Sequence, residues 1–394
     1  MTYKYLKQFI LIACSAWSLT VDATEISTLH QLKQELPQLL SELAEVDGSF
    51  VDVEPFLDGG KSLINDIYLI RTETKDLVIK VTSDRWEGKK TVNEVALLKF
   101  LKTHSTIPVP KVYAYCADKE LSPIHKEYII LEKIEGIPLS LAYPSLANDR
   151  ALYESVLSQL ADILSQLRLF HFDAIGNFLP TEGEVASLTL RSIIDFPDSD
   201  PEQPYDSFNA YTKGCISYYI SEMEENRLKF EPYASSLEKI CASMDLSQTE
   251  EDPYFVLSHQ DFVMKNILIK DGKITAVLDW EWAASAPREM EALSGLDFLV
   301  SPEDRQFFTE RLHQSGIHDC FLPLSNQRTR AYELIGGAYS LVAHPEWFHG
   351  KLLHTARFLK QKLYQRKIRA NPSISLSDVE KEIQSNLKLL TDYW

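Results

Sequence analysis

Two periods divide this chain. Between about residues 50 and 135 its apolar residues come in short β-like runs: SFVDVEPF, DIYLIRT, DLVIKVT and KEYIILEKI. From about residue 150 they recur at helical spacing, as in RALYESVLSQLADILSQLRLFHF. Side chains repeat every two residues along a strand and about every 3.6 along a helix. The change of period therefore predicts an α+β chain. A small β-rich part, with one key helix in TVNEVALLKFLKTH, precedes a larger, mainly helical part. A further helix over residues 26–45 carries Leu29, Leu32, Leu36, Leu39, Leu40 and Leu43 at helical spacing. The expected division is a leader over residues 1–23, a first lobe over 24–135 and a second over 136–394.

The helical part is interrupted once. SHQDFVMKNILIKDGKITAVLDW, residues 258–280, returns to β-like runs around a turn at Asp271-Gly272 and holds His259, Asp261, Asn266 and Asp279. An Asp-Gly pair between two apolar runs is a hairpin signal. Strand alternation places Ile274, Ala276 and Leu278 on one face and Thr275, Val277 and Asp279 on the other. Polar residues are common in turns, so the pattern H-x-D-x-x-x-x-N has little meaning alone. A second aspartate about a dozen residues later, at the end of a strand, gives it one. Carboxylate and amide oxygens suit Mg²⁺, which takes one or two protein ligands and shares the rest with nucleotide phosphates. Asn266 and Asp279 are the candidate metal ligands, and Asp261 is left to accept a proton from an attacking hydroxyl. His259 reads as a support for the loop. Trp280 and Trp282 read as packing, and Glu281 as either a neighbour of the metal or a surface residue.

Other parts of a nucleotide site lie upstream in the expected order. LDGGKS supplies Gly59, Gly60 and Ser62, a turn whose N–H groups could cover phosphates. Lys80 lies within the strand DLVIKVT, on the face of Val78 and opposite Leu77, Ile79 and Val81. Glu94 comes on the next helix, where an ion pair with Lys80 would hold the lysine at the phosphates. The run YIILEKIEGIPL then offers backbone groups from Glu132 to Ile134 for an adenine edge.

In combination these segments resemble the aminoglycoside phosphotransferase and choline kinase-like family. HQDFVMKNILI resembles that family's H-G-D-x-x-x-x-N-I-L loop, and GKITAVLDWEWA, STIPVPKVYAY and LEKIEGIPL resemble its usual phrasing. The resemblance spans roughly residues 50–345. It implies a bilobal protein kinase-like fold and ATP- and Mg²⁺-dependent phosphorylation of a small-molecule hydroxyl. By the same resemblance Asp261 is the base, Asn266 and Asp279 the metal ligands, and Lys80 and Glu94 the phosphate-anchoring pair. Two positions depart from it: Gln260 stands where the family usually has glycine, and Lys61 replaces the common continuation of the glycine turn. Two other readings keep the same fold, a nucleotide-binding regulatory module without transfer and a protein-directed kinase.

Composition bounds the partners. Of 394 residues, 57 are acidic and 40 basic, a net charge of −17. Such a surface argues against nucleic acid and anionic membranes, whose binding rests on cationic contacts. A cationic acceptor is one option, and the acidic loop DFPDSDPEQPYD, residues 195–206, is a segment that would attract it. Cysteines 14, 116, 215, 241 and 320 lack the spacing of a zinc site. The first 23 residues, with Lys4 and Lys7 before an apolar run and Val21-Asp22-Ala23 after it, have the pattern of a secretory signal. That run is too short to span a bilayer. The need for ATP favours the cytoplasm, and the leader leaves export open.

Overall fold

A computed structural model describes residues 23–56, 65–82, 88–180, 188–191, 203–225 and 252–321, with scattered positions from 324 to 335. The leader and the glycine turn with Gly59, Gly60 and Ser62 lie outside the described residues, as does most of the acidic loop. The chain divides into two compact units. The first is Met1–Thr91 with Pro110–Lys133, and the second is Val92–Val109 with Ile134–Trp394.

The first unit is built on five strands: β1 (Phe50–Pro55), β2 (Asn65–Thr72), β3 (Asp76–Thr82), β4 (Val112–Cys116) and β5 (Glu127–Glu132). They form one antiparallel sheet in the order β1-β2-β3-β5-β4. The central position of β3 fits its sequence: Leu77, Ile79 and Val81 are all buried in one core. Helix α1 (Ala23–Ser41) closes that core with Leu32, Leu36 and Leu40, three of the positions marked by the leucine spacing. Lys80, on the opposite face of β3, is only 5 % exposed. The solvated strand face that an isolated lysine would suggest is thus ruled out.

Helix α2 (Lys89–His104) begins in the first unit and runs mostly in the second. Its first turn is tied to β5 by Glu127, whose carboxylate accepts from Gly88 N–H at 2.6 Å and from the Thr91 hydroxyl at 3.0 Å. Within the second unit Asn93, fully buried, makes three main-chain bonds. Its Nδ2 donates to the carbonyls of Glu281 and Ala283, at 3.1 and 3.0 Å, and its Oδ1 accepts from Phe178 N–H at 2.8 Å. Glu94, also on α2, is 3 % exposed.

The second unit also contains α3 (Leu139–Leu146), α4 (Arg150–Leu167), α5 (Phe208–Glu225), α6 (Met290–Ser294) and α7 (Pro302–Gln314). Asp149 caps α4 by accepting from Leu152 N–H, and the helix buries one face from Tyr153 to Leu167. Helix α7, which packs on α4, starts with a capping box between Ser301 and Asp304 and has Pro302 in its first turn. The strands of this unit are short. They are β6 (Ile137–Pro138), β7 (His171–Phe172), β8 (Asn177–Pro180), β9 (Leu188–Arg191), β10 (Phe255–Ser258), β11 (Ile267–Lys270), β12 (Lys273–Val277) and β13 (Ala284–Ala286). Two small antiparallel sheets, ordered β13-β10-β7 and β12-β11-β6, carry the interruption seen in the sequence, and β8 pairs with β9. The β11–β12 turn is Asp271-Gly272, both with positive φ, 51° and 74°. That is the two-residue turn whose twist matches the flanking strands, and it favours glycine at the second position.

Candidate phosphotransfer site

The loop after β10 is held by its main chain before any of its side chains is used. Ser258, His259 and Gln260 lie over the buried carboxylate of Glu291 on α6. One oxygen, Oε2, accepts from the Ser258 hydroxyl at 2.7 Å, from His259 N–H at 2.6 Å and from Gln260 N–H at 3.5 Å. At the far end a 3₁₀ turn (Met264–Asn266) starts with Met264 N–H donating to Asp297 Oδ1 at 2.7 Å. Two carboxylates thus fasten both ends of the loop. A carboxylate accepting from N–H groups is a strong hydrogen-bonding partner, and here it shapes a segment with no regular ladder of its own. Neither Glu291 nor Asp297 stands out in the sequence, because each works on backbone groups far from it along the chain.

Within the loop His259 is fully buried. Its Nδ1 accepts from Asp261 N–H at 3.2 Å, and its Nε2 is 3.0 Å from the carbonyl of Leu278. A carbonyl can only accept, so Nε2 carries the proton and the ring is the neutral tautomer. The imidazole also lies against Trp280, centroids 4.4 Å apart. Both ring nitrogens are used in structure, which matches the supporting role read from the sequence.

Leu278 joins the loop to the end of the hairpin. Its carbonyl takes the His259 bond, and its N–H donates to Asn266 O at 2.8 Å. This cross-link, with the pairing of Ile267 opposite Val277, sets Asn266 beside the residue after Leu278, which is Asp279. Strand alternation does not place Asp279. The β11–β12 register shifts between Leu268 and Ile269, and both Ala276 and Val277 are buried. Asp279 lies beyond the strand end with φ 67° and ψ 56°, in the left-handed region. A local backbone turn, not strand alternation, sets its conformation. Gln260 is left-handed too, with φ 66°.

Asp261 and Asn266 are in direct contact. Asn266 Nδ2 donates to the Asp261 carbonyl at 3.0 Å and to its Oδ2 at 2.8 Å. The ammonium of Lys265 reaches the same Oδ2, also at 2.8 Å. Partial burial works against the charge on Lys265. Its hydrogen bond to Asp261, with the fields of Asp279 and Glu281, more than offsets this and raises its pKa above the ordinary lysine value. Glu281 is 2 % exposed, which removes the surface alternative for it. Trp280 is fully buried with its indole N–H on the Val277 carbonyl at 2.9 Å, so it packs.

The donor set suits a cation that shares its ligands. Among the described residues there is no group of three or more His, Cys, Asp or Glu able to hold a metal ion alone. An amide oxygen and a carboxylate, at Asn266 and Asp279, are what Mg²⁺ takes from a protein when phosphates supply the rest. In the first unit Lys80 is central in the sheet, opposite Ile67 and Ile129. The N–H of Glu132 at the end of β5 donates to the Lys111 carbonyl at 2.8 Å, so that group is already used in the fold. No helix among the described residues is long and apolar enough to cross a membrane.

The chain is similar to a candidate fructosamine-3-kinase of Haemophilus somnus 129PT, with a TM-score of 0.52 at 19 % identity over 82 % of this chain and 94 % of that one. That likeness shows a kinase-like fold. Among curated relatives, a subtelomeric hrmA-associated cluster protein of Aspergillus fumigatus is 30 % identical over 33 % of this chain and 25 % of its own length. Clavilactone A biosynthesis cluster protein Y of Ampulloclitocybe clavipes is 28 % identical over 51 % of this chain and 52 % of its own. The chain thus spans a quarter to about half of the length of these relatives. The phosphotransferase enzyme family, APH, is matched from residue 55 to residue 325, which takes in β2–β13 and the whole loop from Ser258 to Asp297. By that match the chain belongs to the phosphotransferase enzyme family.

Proposed function

We propose that this chain transfers the γ-phosphate of ATP, with Mg²⁺, to a hydroxyl of a small molecule, and that Asp261 is the base. The observation that carries the reading is the fixed trio of Asp261, Asn266 and Asp279. Asn266 donates to Asp261 through its amide nitrogen, so its amide oxygen is the atom suited to the metal. Leu278 holds the Asp279 backbone against Asn266. In the proposed step the acceptor oxygen bonds to the γ-phosphorus as the bond to the ADP oxygen breaks. The acceptor's proton passes to the Asp261 carboxylate. Mg²⁺ would neutralise phosphate charge as it builds on the leaving group. For Lys80 and Glu94 the reading keeps the roles expected from the resemblance, in anchoring nucleotide phosphates.

The path of the chain after the metal aspartate favours a small acceptor over a protein. It runs from Asp279 through a 3₁₀ turn (Trp280–Trp282) straight into β13 at Ala284. There is no room there for a long peptide-binding segment.

Two measurements test the reading. Mg²⁺-ATP is expected to raise the melting temperature of the wild type and of Asp261→Ala alike. In a metabolite panel, ATP-dependent phosphorylation is expected for the wild type and a loss of about a thousandfold or more for Asp261→Ala, the scale of removing a general base in a preorganised site. Equal turnover by the two proteins on a validated acceptor would rule out Asp261 as the base. Mg²⁺-ATP binding with no transfer to any hydroxyl would point instead to a regulatory nucleotide-binding module.

A further inference from the structure

Lys265 has no part in the roles above, yet its ammonium meets the carboxylate of the base. The pair is largely solvent-exposed, with the lysine side chain 63 % and the aspartate 30 % accessible. As a staple for the fold such a pair contributes little. Its geometry assigns it to another task. Lys265 Nζ and Asn266 Nδ2 converge on the same oxygen, Oδ2, each at 2.8 Å. Among the described residues no hydrogen bond reaches Oδ1. With two donors on one oxygen the carboxylate is held against turning about its Cβ–Cγ bond, and Oδ1 is the oxygen left for another partner.

The lysine is itself well placed to hold that orientation. Its backbone lies inside the 3₁₀ turn, between Met264 N–H on Asp297 and Asn266 N–H on the Val263 carbonyl at 2.9 Å. Asp279 and Glu281 also act on its charge.

We propose that Lys265 is a positioning residue for Asp261, pinning Oδ2 so that Oδ1 faces the acceptor hydroxyl. The inference rests on the phosphotransfer reading of Asp261 and gives that reading a second contact to the base.

The probe is Mg²⁺-ATP with water as acceptor, monitored as phosphate release by the full chain. Lys265→Met is expected to lower kcat by about ten- to a hundredfold, the cost of a misplaced reacting group. KM for Mg²⁺-ATP and the thermal shift it produces should stay unchanged, and Lys265→Arg should recover most of the loss. Unchanged kcat in Lys265→Met overturns the proposal and leaves an exposed ion pair. A raised KM with unchanged kcat also overturns it, because the lysine would then contact the nucleotide. A loss that Arg does not restore, with a lower melting temperature, overturns it too and assigns the lysine to folding only. If wild type and Asp261→Ala release phosphate equally, the reading of Asp261 fails, an outcome separate from any result at Lys265.

Discussion

Two residues of the site hold the left-handed conformation, Gln260 and Asp279. A side chain in that region costs about 1–2 kcal/mol, because Cβ crowds the following carbonyl, and glycine escapes the cost. That is the physical sense of the glycine in the related loop that Gln260 replaces. Gln260→Gly should stabilise the protein by about 0.5–1 kcal/mol, once glycine's extra freedom in the unfolded chain is subtracted. Chemical denaturation reads this directly, and a fall in stability would show that contacts of the glutamine side chain outweigh the strain. His259, Asp261, Asn266 and Asp279 stand out in the sequence by type and spacing, and the structure brings Asn266 onto Asp261 and the His259 ring onto the Asp261 N–H. Leu278, Glu291 and Asp297 do not stand out, because what they supply is a main-chain link or a carboxylate for distant N–H groups. Lys265 carried one signal, its spacing of four residues from Asp261, which an i,i+4 search for opposite charges would have found.

At the scale of elements, apolar period predicted α1, β1, β2, β3, β5, α2 and the β11–β12 hairpin close to where they occur, and left out β4, which follows the prolines of IPVPKVYAYC. It failed at Asp279. A register shift in β11–β12 and burial of both Ala276 and Val277 break the alternation, and single-sequence periodicity cannot show a bulge. The role of α2 was half legible. Its wide apolar face predicted a helix, but nothing in that pattern marks Asn93, a polar residue that is fully buried. Asn93→Ala would leave the N–H of Phe178 and the carbonyl of Glu281 without their amide partner and take one of two side-chain amides from the Ala283 carbonyl. The expected loss is about 2–4 kcal/mol, from buried backbone groups left unpaired. The midpoint of urea unfolding measures it, and a loss below about 1 kcal/mol would mean that water replaces the amide.

Over the whole molecule a net charge of −17 sets a self-repulsion that compaction must overcome. Added salt screens charges beyond about 10 Å at 0.1 M. The melting temperature should therefore rise by a few degrees between about 0.02 and 0.5 M NaCl. A flat or falling curve would mean that ion pairs such as Arg328 with Asp252 and Glu289 outweigh the repulsion. Residues 92–109, most of α2 and the segment after it, group with the second unit although they lie between strands of the first. The hydrogen bonds of the site also differ in the length of chain that they enclose. Glu291 and Asp297 close rings of 33 residues to Ser258 and Met264, whereas Asn93 closes rings of 188 and 190 to Glu281 and Ala283. The entropy of closing a ring grows with its length, and distant pairings form late. By ring length, the loop and its two carboxylates can order before the amide from α2 docks onto them.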